Sequence, residues 1–196
     1  MMKIFIHRVN QSSDLLQIPA NFGVEIDIRT SGKDIILSHD PFSYGELFTD
    51  WLKSWRGQSL ILNVKEDSLE SSVLSILSEH QVSDYFFLDQ SYPSIRKMVE
   101  GGNSNLATRV SDFEDLETAL NSGSNWVWLD SFSGNWHFLH KAVPAIKSNQ
   151  QKVCLVSPEL HRPNSDVELL ELQELIKNLD TEIDAVCTKF PNKWAL

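Results

Sequence analysis

The feature that most constrains this chain is a repeated alternation of short β-rich runs with segments of helical period. The candidate strands are "KIFIHRV" (3–9), "FGVEIDIRT" (22–30), "SLILNVK" (59–65) and "DYFFLD" (84–89), then "NLATRV" (105–110), "NWVWLD" (125–130), "KVCLVSP" (152–158) and "DAVCTKF" (184–190). Between the later runs lie "SLESSVLSILSEHQ", "YPSIRKMVEGG", "DFEDLETALNSG", "HFLHKAVPAIKSN" and "SDVELLELQELIKNL". Their apolar residues recur at about 3.6, and Ser68, Asp112 and Ser165 are the expected helix starts. A further short run, "IILSH" (35–39), follows the turn signal "SGKD". Strand–helix alternation implies an α/β protein with a parallel sheet under covering helices. Eight such strands favour a (β/α)8 TIM barrel over the competing doubly wound open sheet. The first two links carry no full helical pattern, so the expected barrel is a short variant with reduced early helices. No repeat, low-complexity tract or linker interrupts residues 1–196, which read as a single domain.

A chain of 196 residues with 41% hydrophobic content can bury roughly 70% of the surface it exposes when unfolded, enough for one core. No apolar run reaches the length of about 18 residues that a membrane-spanning helix needs, so no stable membrane insertion is expected. The start "MMKIFIHRVNQSSD" lacks the apolar stretch and small-residue cleavage site of a signal peptide. Cys154 and Cys187 lie in apolar strands and read as buried, reduced thiols, so the expected location is cytoplasmic. With 27 acids against 17 bases the net charge is −10, which argues against nucleic acid as a partner. A small phosphate held by two or three local groups remains compatible with that charge. Nothing in the sequence gives an oligomeric state.

Within "GVEIDIRTSGKDIILSHDP" (23–41), Glu25 and Asp27 fall on one face of a strand and Val24, Ile26 and Ile28 on the other. In a barrel such acids face the axis near the C-terminal strand ends, where catalytic residues collect. Asn63 and Lys65 share a face in "SLILNVK", and His7 ends "KIFIHRV" on the face of Phe5. Two buried carboxylates about 7 Å apart repel each other and lose hydration. A hard cation, Mg²⁺ or Ca²⁺, held by oxygens of Glu25, Asp27 and Asn63 would relieve both costs. The alternative is an ion-pair network in which Arg8, Arg29 or Lys65 neutralises the acids. Two histidines flanking the acids, His7 and His39, suit a division of general-base and general-acid roles. Together with a cation and Lys65 the set suits attack at a phosphodiester.

These same residues carry a resemblance. "IHR", then "GVEIDIRTSGKDIILSHDP", then "LILNVKE" resembles the glycerophosphodiester phosphodiesterase family, within the phosphatidylinositol phospholipase C-like superfamily. The family shows His-Arg-Gly on its first strand and Glu-x-Asp on its second. A Thr-x-Asp-Gly-like turn, His-Asp-x and a Glu-x-Lys strand follow. The chain end "AVCTKFPNKW" is similar to the family's closing Thr-Asp-x-Pro segment. The likeness covers the first third and the last strand, and the middle matches in strand–helix rhythm. It implies a metal-dependent barrel enzyme cleaving phosphodiesters, often through a neighbouring substrate hydroxyl and a cyclic phosphate. By position it implies His7 and His39 as the acid–base pair, Glu25 and Asp27 as metal ligands, and Lys65 and Arg8 as phosphate-binding residues. The chain departs from the pattern in four places. Val9 stands for the Gly, the Glu-Asn-Thr segment is missing, Asn63 stands for the Glu of Glu-x-Lys, and Lys189 for the closing Asp.

Trp128 and Asp130 share a face near the end of their strand, and "SPELHRP" puts Glu159, His161 and Arg162 beyond another. A ligand with hydroxyls would use Asp130, Glu159 and His161 and stack on Trp128, the alternative being a packed Trp with solvated loop charges. The expected activity is metal-dependent hydrolysis of a small glycerophosphodiester or sugar-phosphodiester. A lyase that stops at the cyclic phosphate and a non-catalytic barrel binding a phosphorylated ligand are the other readings.

Overall fold

A computed structural model describes residues 2–194. The chain divides into two compact units, Phe5–Ser94 and Ile95 onward, the latter joined by the chain start up to Ile4. In the N-terminal unit the last residues of β1 (Lys3–Ile6) pair in parallel with β2 (Gly23–Ser31), Phe5 opposite Gly23 and Ile6 opposite Val24. The link between them holds only the four-residue helix α1 (Ser12–Leu15). Beyond Ser31 the chain reverses through Gly32, whose φ of 65° suits the first position of a two-residue hairpin loop, into antiparallel β3 (Asp34–Leu37). β3 pairs with the short β4 (Glu46–Leu47), which leads into α2 (Phe48–Trp51). β5 (Leu60–Val64) lies parallel to β2 on its other edge, with Asp27 opposite Asn63. After α3 (Glu70–Glu79), β6 (Tyr85–Leu88) pairs in parallel with β5, and α4 (Tyr92–Glu100) leaves the unit.

Alternation then sorts the side chains of this unit. Val24, Ile26 and Ile28 stand beside Leu60, Leu62 and Val64 in register, all buried, as one apolar face. The opposite face begins apolar as well, with Phe5 and Phe86 meeting edge to face at 5.9 Å. Gly23 opposite Phe5 leaves room for that ring, since a Cβ there would collide with it. Further along the same face come Glu25, Asp27 and Asn63.

The C-terminal unit repeats the scheme. β7 (Ala107–Val110), α5 (Leu116–Leu120), β8 (Trp126–Leu129), α6 (Leu139–Ser148), β9 (Lys152–Val156), α7 (Asp166–Lys177) and β10 (Ala185–Thr188) follow in order. The four strands pair in parallel in the order β7, β8, β9, β10. Their outer face, Val110, Val127, Leu129, Val153, Leu155 and Val186, packs with Leu139, Val143 and Ile146 of α6 and with Leu169 and Leu172 of α7. The other face carries Arg109, Trp128 and Cys154, level with one another across three strands.

Each of the eight candidate strands contains an observed parallel strand, and the early helices are reduced as expected. Helix starts fared less well. Ser68 adopts φ 73°, and α3 begins beyond it without a side-chain cap. Ser165 does stand at the start of α7 as expected, its carbonyl accepting from Leu169 N–H, though its side chain makes no capping hydrogen bond. α5 is capped by Asp115, which accepts from Thr118 N–H, and not by Asp112. The Asp112 carboxylate instead accepts from the N–H groups of Phe132 and Ser133 at 2.9 and 2.7 Å, a tertiary use that no local pattern announces.

Gly45 closes the β3–β4 loop against the backbone of Leu37, and a Cβ at that position would run into the Leu37 carbonyl. Backbone cannot give way as a flexible side chain does. Gly45→Ala should therefore cost about 1–3 kcal/mol in denaturant unfolding at unchanged m-value; an unaltered midpoint would mean that this loop is not held against β3.

Candidate active site

The site forms on one edge and one face of β2. Even-numbered residues of β2 turn their backbone groups to the β5 side, where Val24 N–H donates to Ser59 and Ile28 carbonyl accepts from Lys65. The odd-numbered residues turn theirs to the other edge, where β1 has ended and β3 has not begun. There the Glu25 carbonyl accepts from Val9 N–H at 2.8 Å and the Asp27 carbonyl from Ser38 N–H at 3.0 Å. Asp27 N–H donates to Asn10 Oδ1 at 2.8 Å, and Asn10 Nδ2 donates back to Asp27 Oδ2 at 2.8 Å. The buried Trp51 indole donates to Val9 carbonyl at 3.0 Å and fixes the segment from behind.

The two carboxylates are fully buried. Glu25 accepts from Arg8 N–H at 2.7 Å and from Asn63 Nδ2 at 2.9 Å, with His7 Nε2 at 3.8 Å. Arg8 points its N–H at Glu25 by adopting φ 61°, a left-handed conformation that a non-glycine residue holds only when its surroundings fix it. Lys65 Nζ lies 3.2 Å from Asp27 Oδ1, and Arg8 Nε 3.6 Å from Asp27 Oδ2. Arg29 takes no part in this neutralisation; it binds the His39 carbonyl at 3.1 Å and Glu66 at 3.5 Å. Burial first, and then repulsion from Asp27, push the Glu25 carboxyl up to about 8, against the opposing hydrogen bonds from Asn63 and Arg8.

Asn63 Oδ1 is buried and makes no hydrogen bond, and Asp27 Oδ1, on the residue opposite it across β2 and β5, has the Lys65 ammonium at 3.2 Å as its partner. An unsatisfied buried acceptor costs about 1–3 kcal/mol. Among the described residues no group of three His, Cys, Asp or Glu side chains is gathered for a metal, so any cation here would rest on two acids and an amide. Such an all-oxygen set suits Mg²⁺ or Ca²⁺.

His39 is held by its neighbour, Nδ1 lying 2.8 Å from Asp40 Oδ1, and this bond first of all keeps the Asp40 carboxyl below its ordinary value. The expected residues His7, Arg8, Glu25, Asp27, His39, Asn63 and Lys65 thus all fall in the N-terminal unit, and all but His39 contact the acid pair directly. Asn10, Trp51 and Asp40 join them without having been foreseen. Only Asp40 had a sequence signal, as the residue beside a candidate histidine.

Trp128, Asp130, Glu159 and His161 fall in the C-terminal unit. Trp128 is buried on the sheet face, level with Arg109 and Cys154. Glu159 is taken by the hydroxyls of Ser157 and Thr188 and by Lys189 N–H. Asp130 and His161 do come together, Nε2 lying 2.8 and 3.0 Å from the two carboxylate oxygens. Arg162, next to His161, forks onto Glu168 and also donates to the carbonyls of Ser131 and Phe132.

No family model matches the chain, and no curated protein matches its sequence. Solved structures do match. A glycerophosphodiester phosphodiesterase from Agrobacterium tumefaciens superposes with a TM-score of 0.71 at 12% identity, covering 100% of this chain and 98% of that one. A glycerophosphoryl diester phosphodiesterase from Parabacteroides distasonis gives 0.70 at 14%, covering 100% and 85%. A glycerophosphodiester phosphodiesterase from Thermotoga maritima gives 0.69 at 14%, covering 96% and 95%. The chain has the fold of the glycerophosphodiester phosphodiesterases. The (β/α)8 class expected from the strand–helix rhythm is therefore shown, and the resemblance first seen in the short motifs extends over the length of the chain. Among the described residues no helix is long and apolar enough to cross a membrane.

The Arg162–Glu168 fork makes one contribution measurable. Burial alone would raise the Glu168 carboxyl, but hydrogen bonds from Arg162 and Trp136 outweigh it and hold the group below its ordinary 4.5. A carboxyl depressed in the folded state stabilises above its unfolded value, and that stability is lost as pH falls through the folded one. The unfolding free-energy difference between the natural chain and Glu168→Gln should be constant above about pH 4.5 and shrink below it; a difference independent of pH would remove the charge from this account.

Proposed function

We propose that the N-terminal unit carries the active site of a phosphodiesterase that acts, with a divalent cation, on a small glycerophosphodiester or sugar-phosphodiester. The observation that carries the reading is the buried Glu25–Asp27 pair, with a raised Glu25 and an unpartnered Asn63 oxygen, His7 beside Glu25 and His39 just past the end of β3. The likeness to solved phosphodiesterases supports it. Mg²⁺ or Ca²⁺ held by Glu25, Asp27 and Asn63 Oδ1 would supply the positive charge that steadies phosphoryl oxygens as charge develops on them.

The chain's own groups divide the remaining work. Lys65 and Arg8 hold phosphoryl oxygens, the first as a point charge and the second through its planar fork. His39 acts as the base. Asp40 accepts from Nδ1–H, which leaves the lone pair on Nε2 to take a proton from the attacking hydroxyl or water. His7, beside the Glu25 carboxylate, gives a proton to the departing alcohol. The burial of Glu25 and Asp27 in a low-dielectric site would strengthen their hold on a cation.

A second reading has its own support. Lys65 and Arg8 already stand close to Asp27, which is what an ion-pair network without metal or turnover would need. Turnover on a panel of glycerophosphodiesters and sugar-phosphodiesters decides between them. The expected result is activity that EDTA abolishes and Mg²⁺ or Ca²⁺ restores, with His39→Ala at least about a hundredfold slower in kcat and Asp40→Asn reduced to a lesser degree. Metal-independent inertness of the folded protein, with no calorimetric binding of either cation, would replace the proposal with a phosphate-binding barrel. Phosphorus NMR of the product separates a hydrolase, ending at the open monoester, from a lyase that stops at the cyclic phosphate.

A further inference from the structure

The C-terminal unit holds a second oriented histidine that the proposed reaction does not use. Asp130 is buried just past the end of β8, accepts from His161 Nε2 through both oxygens, and accepts from Ser131 N–H at 2.8 Å. A carboxylate only accepts, so the proton of the neutral ring sits on Nε2 and its lone pair on Nδ1. Nδ1 makes no hydrogen bond among the described residues, and the side chain is 32% exposed.

Beside this nitrogen lies an aromatic strip. The His161 ring stands 5.0 Å from Phe132, and Phe132 6.0 Å from Phe113, which is 80% exposed. The strip is built, not draped. Asp112 accepts the N–H groups of Phe132 and Ser133, while Arg162, forked on Glu168, holds the carbonyls of Ser131 and Phe132. A cavity of about 350 Å³ lies near the same loops at Asp112 and Ser133, but it runs toward α6 along Val110, Phe138 and Ala142 and includes none of the three rings. Adjacent exposed aromatics on fixed loops, next to an oriented ring nitrogen without a partner, are the features of a ligand site.

The charge around the strip tells which ligand. Arg109 lies over the Phe132 ring at 5.7 Å but stands between Asp130 and Glu114, at 3.9 Å from each. Asp112 adds a third carboxyl, held below its ordinary value by donors that outweigh its burial. Arg162 beside His161 is neutralised by Glu168, so carboxylates outnumber the cations around the strip, which disfavours a phosphate. What remains is a neutral ligand with one flat C–H face and several hydroxyls. We propose that Phe113, Phe132 and His161 form a carbohydrate site, in which a sugar ring stacks on the two phenyl rings and gives a hydroxyl to His161 Nδ1. Asp130 is the positioning residue that sets the tautomer. The site is a binding site in its own right and does not depend on the reaction assigned to the N-terminal unit.

The test is NMR of the full chain carrying isotope-labelled histidine, titrated with methyl glucopyranoside, methyl galactopyranoside, glycerol and inorganic phosphate. A saturable shift of the His161 ring with at least one sugar, and none with glycerol or phosphate, is the expected result. Phe113→Ser, at a position too exposed to support the core, should weaken that binding about fivefold or more, the size of one lost aromatic contact. Asp130→Asn should change the Nδ1/Nε2 shift pattern of the ring. A His161 ring that responds to no sugar in the folded protein, that responds to phosphate instead, or that binds sugar equally in Phe113→Ser would overturn the proposal.

Discussion

Two like charges standing side by side in a buried strand are the constraint from which the N-terminal unit is organised. Alternate residues of a strand are about 7 Å apart. At an effective dielectric near 20, two carboxylates at that separation repel by about 2 kcal/mol, before any loss of hydration. The surrounding chain answers with backbone more than with side chains. Arg8 enters a left-handed conformation to give Glu25 an N–H, Asn10 closes a two-bond ring with Asp27, and Ser38 covers the last carbonyl of that edge. The shortness of the first two helical links follows from this. The segments after β1 and β3 are committed to sealing the edge of β2, and α1 and α2 keep four residues each.

The C-terminal unit meets no such demand, and its organisation is that of ordinary layer packing. A continuous outer face of Val and Leu binds α6 and α7, and a set of carboxylates lies beyond the strand ends. There the loops are tied by fixed acids. Asp112 holds one loop through two N–H groups, Glu159 another through Thr188 and Lys189, and Glu168 a third through Arg162 and the Trp136 indole. Each of these carboxylates is consumed by the scaffold. That separates them from Asp130, whose partner His161 keeps one ring nitrogen without a hydrogen bond among the described residues.

What the sequence disclosed follows the range of the interactions. Strand alternation is local, so the eight strands, the hairpin and the shared face of Glu25 and Asp27 could be read directly. The pairing of Asp27 with Asn63 was legible only as a shared pattern, since register is set by the fold. Asn10 was not legible because its value lies in a reciprocal amide pair with a residue 17 positions on, nor Trp51, which bonds a carbonyl 42 positions back. The same range explains the misread helix start. Asp112 has the type and spacing of a cap, but two N–H groups some 20 residues away compete for it and win. Trp128 and Glu159 look like ligand groups in one dimension and are spent on packing and loop closure in three.

Asn63 carries the sharpest consequence for chemistry. Its Nδ2 donates to Glu25, which turns Oδ1 away as a neutral acceptor where a third carboxylate would have added charge. With Asn63 neutral and Glu25 pushed up to about 8, so that it largely holds its proton at neutral pH, Asp27 supplies the main negative charge, and Lys65 and Arg8 set two positive charges around it. The resting site therefore already leans positive, and a divalent cation entering alone, even with loss of the Glu25 proton, would add to that excess. On the proposed reading a phosphodiester would bring one negative charge and draw Lys65 and Arg8 onto its own oxygens, freeing Asp27 Oδ1 for the cation. Cation and substrate would then bind more tightly together than either does alone. By linkage, each then raises the affinity of the other by the same factor. Replacing a ligating acid with an amide does not by this logic abolish the metal site. It makes occupancy depend on the substrate.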